Sequence, residues 1–463
     1  MGFYTSSGPP LILLLSLFAA STIAAEDQPP LPGLPPSEQE ATYLALESID
    51  PETAWRSLFP DDLCLAGPHG VVCDLLPDGT LHVTELNFGY LSDFSANPAC
   101  GPNATLSPVL SSSAASAFPF LRKLFFYNCF THAKAALPGR ELNLPSSLEE
   151  LVFVQNPSLV GRLSGRIRDL PRLRRLIISS SGISGNIPAE IGKLRSLEQV
   201  VLSENRLRGG IPATIGRCRS LKILDLSGNR IGGDLPVEIG RLGELVKLDL
   251  SSNLIRGSFP VELGRLQRLE FLDVRHNRLT GGVPTALAEM ASMREVYLSG
   301  NPMGGRIPEI WEKLGGILGV GMSGLGLVGN IPSTMGVFLE NVRYLALDGN
   351  FLEGKVPEQF KRLERSAGEI NLENNALQGR IPFSAGFVDR LGGKLKLAGN
   401  PKLCLGEDLV GHVSAKGSLT YLERCNKTEI PYPVDFRYGS GLSIAKISPW
   451  LFVSFSCLLL VFR

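Results

Sequence analysis

The sequence lacks net charge, because its 45 Lys and Arg residues are balanced by 45 Asp and Glu residues over 463 positions. No overall field therefore favours an anionic partner, and we expect no nucleic-acid binding. Histidine is also scarce, and no two histidines have the spacing of metal ligands. The five are His69, His82, His132, His276 and His412. No Ser, His and Asp set is brought together, so the sequence predicts no metal, no cofactor and no catalytic residue.

Two glycine-rich stretches imitate nucleotide-binding motifs. Residues 324–329 spell Gly-Leu-Gly-Leu-Val-Gly, but Pro332 stands where a phosphate-binding helix would have to begin. Residues 349–355 imitate a P-loop, but Val356 replaces the Ser or Thr that would hold magnesium. Both stretches are in register with a longer repeat, so we expect a protein that is not an enzyme.

That repeat is the strongest feature of the sequence. A Leu-x-x-Leu-x-Leu-x-x-Asn pattern recurs with asparagine at positions 205, 229, 253, 277 and 301, a period of 24 residues. The alternating apolar residues predict a short strand, and the Asn amide can satisfy backbone groups in the turn that follows. This period and pattern mark a leucine-rich-repeat solenoid. We predict an α/β repeat solenoid, a superhelix of about twelve coils that is stable only through stacking.

Both ends of the chain carry predicted targeting signals. Residues 1–25 form an apolar run followed by small residues, which predicts a secretory signal peptide cleaved near Ala24 or Ala25. Residues 439–463 are a small-residue spacer and an apolar tail. They predict a glycosylphosphatidylinositol anchor signal, with a single transmembrane helix as the alternative. The expected location is the extracellular face of the plasma membrane, with the tail as the membrane contact.

Between these ends, cysteine-containing caps enclose the repeats. The segments are a proline-rich spacer at 26–36, an N-terminal cap with an irregular first coil at 37–120, the repeats at 121–400 and a C-terminal cap at 401–438. A capping box at residues 37–40 is expected to open the first helix. Disulfide-bonded lids are usual in secreted solenoids. The predicted disulfide cysteines are Cys64, Cys73, Cys100, Cys129, Cys404 and Cys425.

The simplest pairing in the N-terminal cap joins Cys64 to Cys73 and Cys100 to Cys129, although spacing alone does not prove connectivity. Sequons predict N-glycosylation at Asn103 and Asn426, both in cap regions.

Binding is expected on the concave strand face, where residues two, four and six positions before each Asn project outward. The predicted ligand-binding residues are Phe125, Tyr127, Val152, Val154, Ile177, Phe271, Arg275 and Tyr297. They include an exposed apolar strip with aromatic and arginine anchors, which are the residues that usually dominate binding. Aspartate is common in this repeat at the positions of Asp225, Asp249 and Asp273, so these residues are expected to be structural. An arginine cluster within 162–175 is typical of a solvated face, with an anionic wall polysaccharide as the alternative ligand.

Some segments are more particular than the repeat. Gly-x-Ile-Pro stretches such as residues 185–188 resemble the plant-specific class of leucine-rich repeat. Residues 55–64 (WRSLFPDDLC), 69–73 (HGVVC) and 121–127 (LRKLFFY) resemble the Piriformospora indica-insensitive protein family, plant receptor-like proteins related to Too Many Mouths. The resemblance covers nearly the whole mature chain and supplies no catalytic residue.

The resemblance implies a plasma-membrane receptor-like protein without a kinase, of a family associated with root responses to a beneficial fungus. Its expected partner is the ectodomain of a receptor kinase or an extracellular peptide or protein ligand. The alternative function is a cell-wall inhibitor of microbial polysaccharide-degrading enzymes.

Overall fold

The computed structural model describes residues 33–89, 97–106, 114–138, 143–410, 419 and 421–425. The predicted signal peptide, the sequon at Asn426 and the anchor signal lie outside these residues. The chain divides into two compact units, Met1–Arg424 and Cys425–Arg463, and every element named below belongs to the first. None of the helices in the described part has the length and apolarity needed to span a bilayer.

An N-terminal hairpin and one strand from each described coil together form a 14-stranded concave sheet. Its first two strands form an antiparallel hairpin, and the second of them pairs in parallel with the first coil. The later strands follow in chain order, all parallel. The strands are β1 Val71–Leu75, β2 Leu81–Phe88, β3 Lys123–Tyr127, β5 Glu150–Val154, β7 Arg175–Ser179, β9 Gln199–Val201, β11 Ile223–Asp225, β13 Lys247–Asp249, β15 Phe271–Asp273, β17 Glu295–Tyr297, β18 Gly319–Gly321, β20 Tyr344–Ala346, β22 Glu369–Asn371 and β24 Leu395–Lys396.

A further strand follows the concave strand in most coils and joins one of two lateral sheets. The first lateral sheet contains β4 Ala135–Leu137, β6 Leu159–Arg162, β8 Gly182–Gly185, β10 Arg206–Gly209, β12 Arg230–Asp234, β14 Leu254–Ser258 and β16 Arg278–Thr280. The second contains β19 Val328–Asn330, β21 Phe351–Lys355, β23 Ala376–Arg380, β25 Lys402–Leu405 and β26 Glu423–Arg424.

The convex side of the coils is built mostly from short 3-10 turns, because a proline precedes most of them and the segment between strands is short. These turns span Gly165–Asp169, Ala189–Lys193, Ala213–Arg217, Val237–Arg241, Val261–Arg265, Thr285–Glu289, Trp311–Leu314, Glu358–Arg365 and Gly392–Lys394. The α-helices span Pro36–Ile49, Trp55–Leu58, Leu63–Ala66, Ala114–Ala117, Ser333–Phe338, Ala385–Leu391 and Glu407–Val410.

The repeated asparagines form a buried ladder between coils, as their position before each turn predicts. The side-chain N–H of Asn229 donates to the carbonyl of Leu202 in the preceding coil at 2.8 Å and to that of Leu226 in its own coil at 3.0 Å. Its amide oxygen accepts from the backbone N–H of Leu207 at 2.9 Å. Each amide therefore joins two coils beside a continuous apolar core.

One coil departs from this ladder, because Leu325 stands where its neighbours have asparagine. The backbone compensates locally. Met303 N–H donates to the Asn301 carbonyl at 2.9 Å, and Gly304 N–H donates to the Leu325 carbonyl at 2.8 Å. The preceding coil, which contains Asn301, has no lateral strand among the described residues, so the lateral surface splits into two sheets between β16 and β19.

The expectation of a capping box at residues 37–40 is wrong. The first helix begins at Pro36, a residue suited to the first helical turn, and its N-cap is Pro35 without a side-chain bond. Glu40, the glutamate of the expected box, instead forms an ion pair with Arg56 at 2.7 Å. Glu38 is buried against β2. Its carboxylate lies 2.5 Å from Nδ1 of His82 and accepts the N–H of Val83 at 3.0 Å. The Glu38 carboxylate therefore fastens the helix to the sheet.

Disulfides reinforce the same cap. Cys64 is bonded to Cys73, and Cys100 is bonded to Cys129. Cys404 and Cys425 are both disulfide-bonded as well, while their pairing with each other stays a prediction. Asn103 is exposed, as a glycosylation site must be, and its modification also stays a prediction.

Candidate binding site on the concave sheet

The expected apolar strip is not exposed in the N-terminal coils. Phe125, Val152 and Ile177 are only 5%, 2% and 1% exposed, so the expectation of a free apolar surface is wrong at these positions. They are direct neighbours on β3, β5 and β7. Parallel strands lie about 4.8 Å apart, so bulky side chains in one column cover each other. Tyr127 and Val154 are half-buried and stay predicted contacts.

The structure places an aromatic cluster further along the concave sheet, formed by Phe271, Tyr297 and Tyr344. The ring centres of Phe271 and Tyr297 are 5.8 Å apart, and those of Tyr297 and Tyr344 are 6.2 Å apart. All three side chains are partly exposed. Aromatic side chains with one face accessible and a polar group at the tip are common anchors in protein interfaces.

Two glycines on β18 make this cluster possible. A Cβ atom on Gly319 would lie 2.7 Å from the Tyr297 hydroxyl oxygen, and one on Gly321 would lie 2.9 Å from Cδ1 of the same ring. Both distances are well below van der Waals contact. The missing side chains therefore let Tyr297 lie across β18 towards Tyr344.

Cations inside the protein already cover two of the three rings. Nζ of Lys247 lies 5.3 Å from the centre of Phe271, and the Arg275 guanidinium lies 4.9 Å from the centre of Tyr297. The Tyr297 hydroxyl donates to Glu295 at 2.9 Å. Within the described residues, Tyr344 has neither a cation over its ring nor a hydrogen bond to its hydroxyl.

Tyr297 and Tyr344 differ in whether the ring and the hydroxyl already have partners within the protein. Burial raises the pKa of the Tyr344 phenol, with a further contribution from Glu369 and Asp348, so the hydroxyl stays protonated and able to donate. Arg275 is held by a close ion pair to Asp273 at 2.6 Å. Within the described residues, Tyr344 is therefore the member of the cluster whose ring has no cation over it and whose hydroxyl has no hydrogen-bond partner.

An acidic ladder lies beside the cluster, formed by Asp225, Asp249 and Asp273 on adjacent strands. Its members have structural roles: Asp249 accepts the N–H and hydroxyl of Ser251 at 3.1 and 2.7 Å. Lys247 lies 3.2 Å from Asp225 and 3.7 Å from Asp249. Among the described residues, no group of His, Cys, Asp and Glu side chains has an arrangement that could hold a metal ion.

The ladder carries an electrostatic cost that can be measured. Burial, together with the charges of Asp225 and Asp273, raises the pKa of Asp249 to about 6. An unfolded aspartate ionises near pH 4, so between about pH 4 and pH 6 the folded state holds a proton that the unfolded chain has lost. Stability therefore falls as the pH rises through this window.

We expect Asp249→Asn to raise the free energy of unfolding by about 1–2 kcal/mol at about pH 7.5 and to change it little at about pH 4. Urea denaturation at the two pH values measures this difference. Asp234→Asn, at a side chain that is 76% exposed, is the matched control with little expected effect at either pH. An equal gain at both pH values would show that ionisation is not the cause.

Three site residues were missed by the sequence pattern: Tyr344, Gly319 and Gly321. Tyr344 stands six positions before Asn350, as Phe271 stands six positions before Asn277, so the register could have identified it. The glycines carry no side chain that a binding argument could use. Their effect is visible only from the position of the Tyr297 ring.

Comparison with protein families supports the fold. The family model described as leucine rich repeat matches residues 171–231 and 243–303. Among solved structures, the ectodomain of the Arabidopsis receptor kinase HAESA, crystallised with an N-terminally extended IDA peptide hormone, is 28% identical with a TM-score of 0.62. That match covers 80% of this chain and 58% of the HAESA chain. The predicted repeat solenoid is confirmed.

Curated relatives support the resemblance stated from the sequence. All three are from Arabidopsis thaliana. Receptor like protein 29 is 34% identical over 37% of this chain, TOO MANY MOUTHS is 32% identical over 30%, and Piriformospora indica-insensitive protein 2 is 35% identical over 32%. The matches cover 36%, 26% and 33% of these relatives' own lengths. The resemblance to plant receptor-like proteins is confirmed.

Proposed function

Because the chain is a leucine-rich-repeat protein related to plant receptor-like proteins, we propose that it is a cell-surface receptor-like protein without a kinase of its own. It is held at the extracellular face of the plasma membrane through its C-terminal tail. Its concave sheet binds an extracellular peptide or protein ligand, or the ectodomain of a receptor kinase. The kinase then carries the signal, and the family resemblance adds responses to fungi as the biological setting.

The aromatic cluster is the observation that supports this proposal. Phe271 and Tyr297 are already paired with cations of the protein, whereas within the described residues Tyr344 has no cation over its ring and a hydroxyl that is free to donate. Such a residue gives a partner both an apolar surface and a hydrogen-bond donor. HAESA, a relative in fold with 28% identity, was crystallised with a peptide hormone, which supports a peptide or protein as ligand.

We expect Tyr344→Ala to weaken partner binding by roughly tenfold or more, because interface tyrosines often contribute over ~1.4 kcal/mol. The measurement is affinity capture of the tagged full-length protein from plant plasma membranes, followed by mass spectrometry for receptor kinases. Tyr344→Phe separates the contribution of the hydroxyl from that of the ring. Phe351→Ala is the matched control, because Phe351 is an aromatic residue on a lateral strand and is 68% exposed.

Equal recovery of the kinase by wild type and Tyr344→Ala would remove the aromatic cluster as the binding site. Recovery of wall-degrading enzymes alone, with loss of their activity on binding, would favour the inhibitor function instead. Phospholipase treatment of the same membranes tests the anchor, since a glycosylphosphatidylinositol anchor is released and a transmembrane helix is not.

A further inference from the structure

The first lateral sheet carries a row of arginines on its outer face. On β10, β12, β14 and β16 the middle apolar residue points inward and is buried, as at Leu207 and Ile231. The residues on either side of it point outward. They include five exposed arginines, which we call the arginine sheet: Arg206, Arg208, Arg230, Arg256 and Arg278.

The strand register places these charges directly beside each other. Arg208 is the partner of Arg230 on the next strand, and Arg256 is the partner of Arg278. Neighbouring strands are about 4.8 Å apart, and like charges directly opposite each other across strands destabilise a sheet. The arrangement is therefore unfavourable for the protein by itself.

The structure leaves four of these five arginine charges without an ion-pair partner among the described residues. Among the described residues, Arg206, Arg208, Arg230 and Arg278 form no ion pair. Arg256 has one partner, Asp234, at 4.0 Å, and both side chains are about three-quarters exposed. The chain as a whole is neutral. The surplus is therefore local to one face, which is separate from the concave binding site.

The chemistry of the residues indicates the kind of partner. All five are arginine rather than lysine, and the planar guanidinium pairs with a carboxylate through two parallel hydrogen bonds. Cations repeated from strand to strand match a linear polymer that carries carboxylates at regular intervals and lies across the strands. A bilayer would need several apolar residues to insert. On the four described strands of the arginine sheet, Leu254 is the one large apolar side chain that is exposed, so a bilayer is the weaker match.

We propose that the arginine sheet binds a linear anionic polysaccharide, a chain of uronic acid residues, through arginine–carboxylate ion pairs. This goes beyond the concave-face function and rests on the proposed extracellular location. A receptor-like protein would then be held to the carbohydrate matrix by one face while its concave face stays free for a partner. Such binding is electrostatic and falls as salt rises.

The test measures binding of the full-length protein to three probes: sodium polygalacturonate, the fully methyl-esterified and therefore neutral polymer, and phosphatidylserine vesicles. We expect saturable, salt-sensitive binding to polygalacturonate and none to the neutral polymer. The double variant Arg208→Gln/Arg230→Gln is expected to bind roughly tenfold more weakly. Its thermal unfolding midpoint should be equal to or above that of the wild type, because a repulsion is removed.

The matched control is Arg217→Gln/Arg241→Gln, which removes the same charge from adjacent coils on the convex turns, where both residues are exposed. It should bind polygalacturonate as the wild type does. Equal weakening in both double variants, an absence of saturable polygalacturonate binding, or a preference for the vesicles would each overturn the proposal. Kinase capture through Tyr344 is measured separately, so either proposal can fail while the other stands.

Discussion

Replacement of Asn253 by leucine is expected to lower the free energy of unfolding by about 3 kcal/mol or more. The Asn253 side chain is 6% exposed and makes four backbone hydrogen bonds. Its N–H groups donate to Leu226, Leu250 and Ser251 at 2.9, 3.2 and 3.1 Å, and its oxygen accepts from Ile231 at 3.0 Å. Leucine leaves these buried groups without partners.

Chemical denaturation of the full-length protein measures the loss. Asn341→Leu is the matched control, since this asparagine is exposed and donates one hydrogen bond, to Gly315 at 3.1 Å. We expect it to cost less than ~1 kcal/mol. If both variants lost the same stability, the ladder would not be the source of the effect.

Leu325 shows why the same substitution cannot be judged from the residue type alone. The native chain tolerates leucine there because Met303 and Gly304 make local backbone bonds, and because the lateral strand is absent between β16 and β19 in the described residues. The coil that contains Asn253 has both lateral neighbours in place. It has no comparable freedom to rearrange.

Gly240→Ala is expected to destabilise the solenoid by about 2–3 kcal/mol, because the new methyl group overpacks the junction between two convex turns. A Cβ atom at position 240 would lie 2.2 Å from the carbonyl oxygen of Glu262 in the next coil. That oxygen belongs to the backbone, so only a shift of the whole coil relieves the contact. The same close approach occurs at Gly216, where the nearest atom is the Glu238 carbonyl oxygen at 2.3 Å.

Gly243→Ala provides the comparison, since nothing lies within 4 Å of a Cβ atom there. We expect it to be neutral or to stabilise by up to ~1 kcal/mol, because alanine restricts the unfolded chain. Thermal unfolding of the two variants measures the difference. A Gly240→Ala protein as stable as Gly243→Ala would show that coil spacing adapts without cost.

Much of the fold was predictable because the same sequence pattern recurs in successive coils. The 24-residue period predicts the coil, the alternating leucines predict the concave strands, and the asparagine predicts the buried ladder. The cysteine spacing favoured the Cys64–Cys73 and Cys100–Cys129 bonds that the structure contains. These features depend on residues close in sequence or on identical residues in register.

The binding surface was less predictable, since exposure depends on neighbouring coils. Phe125 and Tyr297 occupy equivalent positions, four residues before Cys129 and Asn301 respectively. Phe125 is buried, whereas Tyr297 is half-exposed. The difference lies in the adjacent strand, where Val152 is the partner of Phe125 and Gly321 is the partner of Tyr297. A residue 24 or more positions away therefore decides whether an outward side chain can be reached.

The sequence by itself determined the solenoid, its register, its buried asparagines and its likeness to plant receptor-like proteins, because each follows from a pattern repeated along one dimension. Only the tertiary structure decided which outward residues are accessible, that Tyr344 completes an aromatic cluster, and that Arg208 lies beside Arg230. The physical reason is stacking. The side chains of each coil determine how much space and which charges surround the side chains of the adjacent coils. These contacts exist only once the coils are stacked.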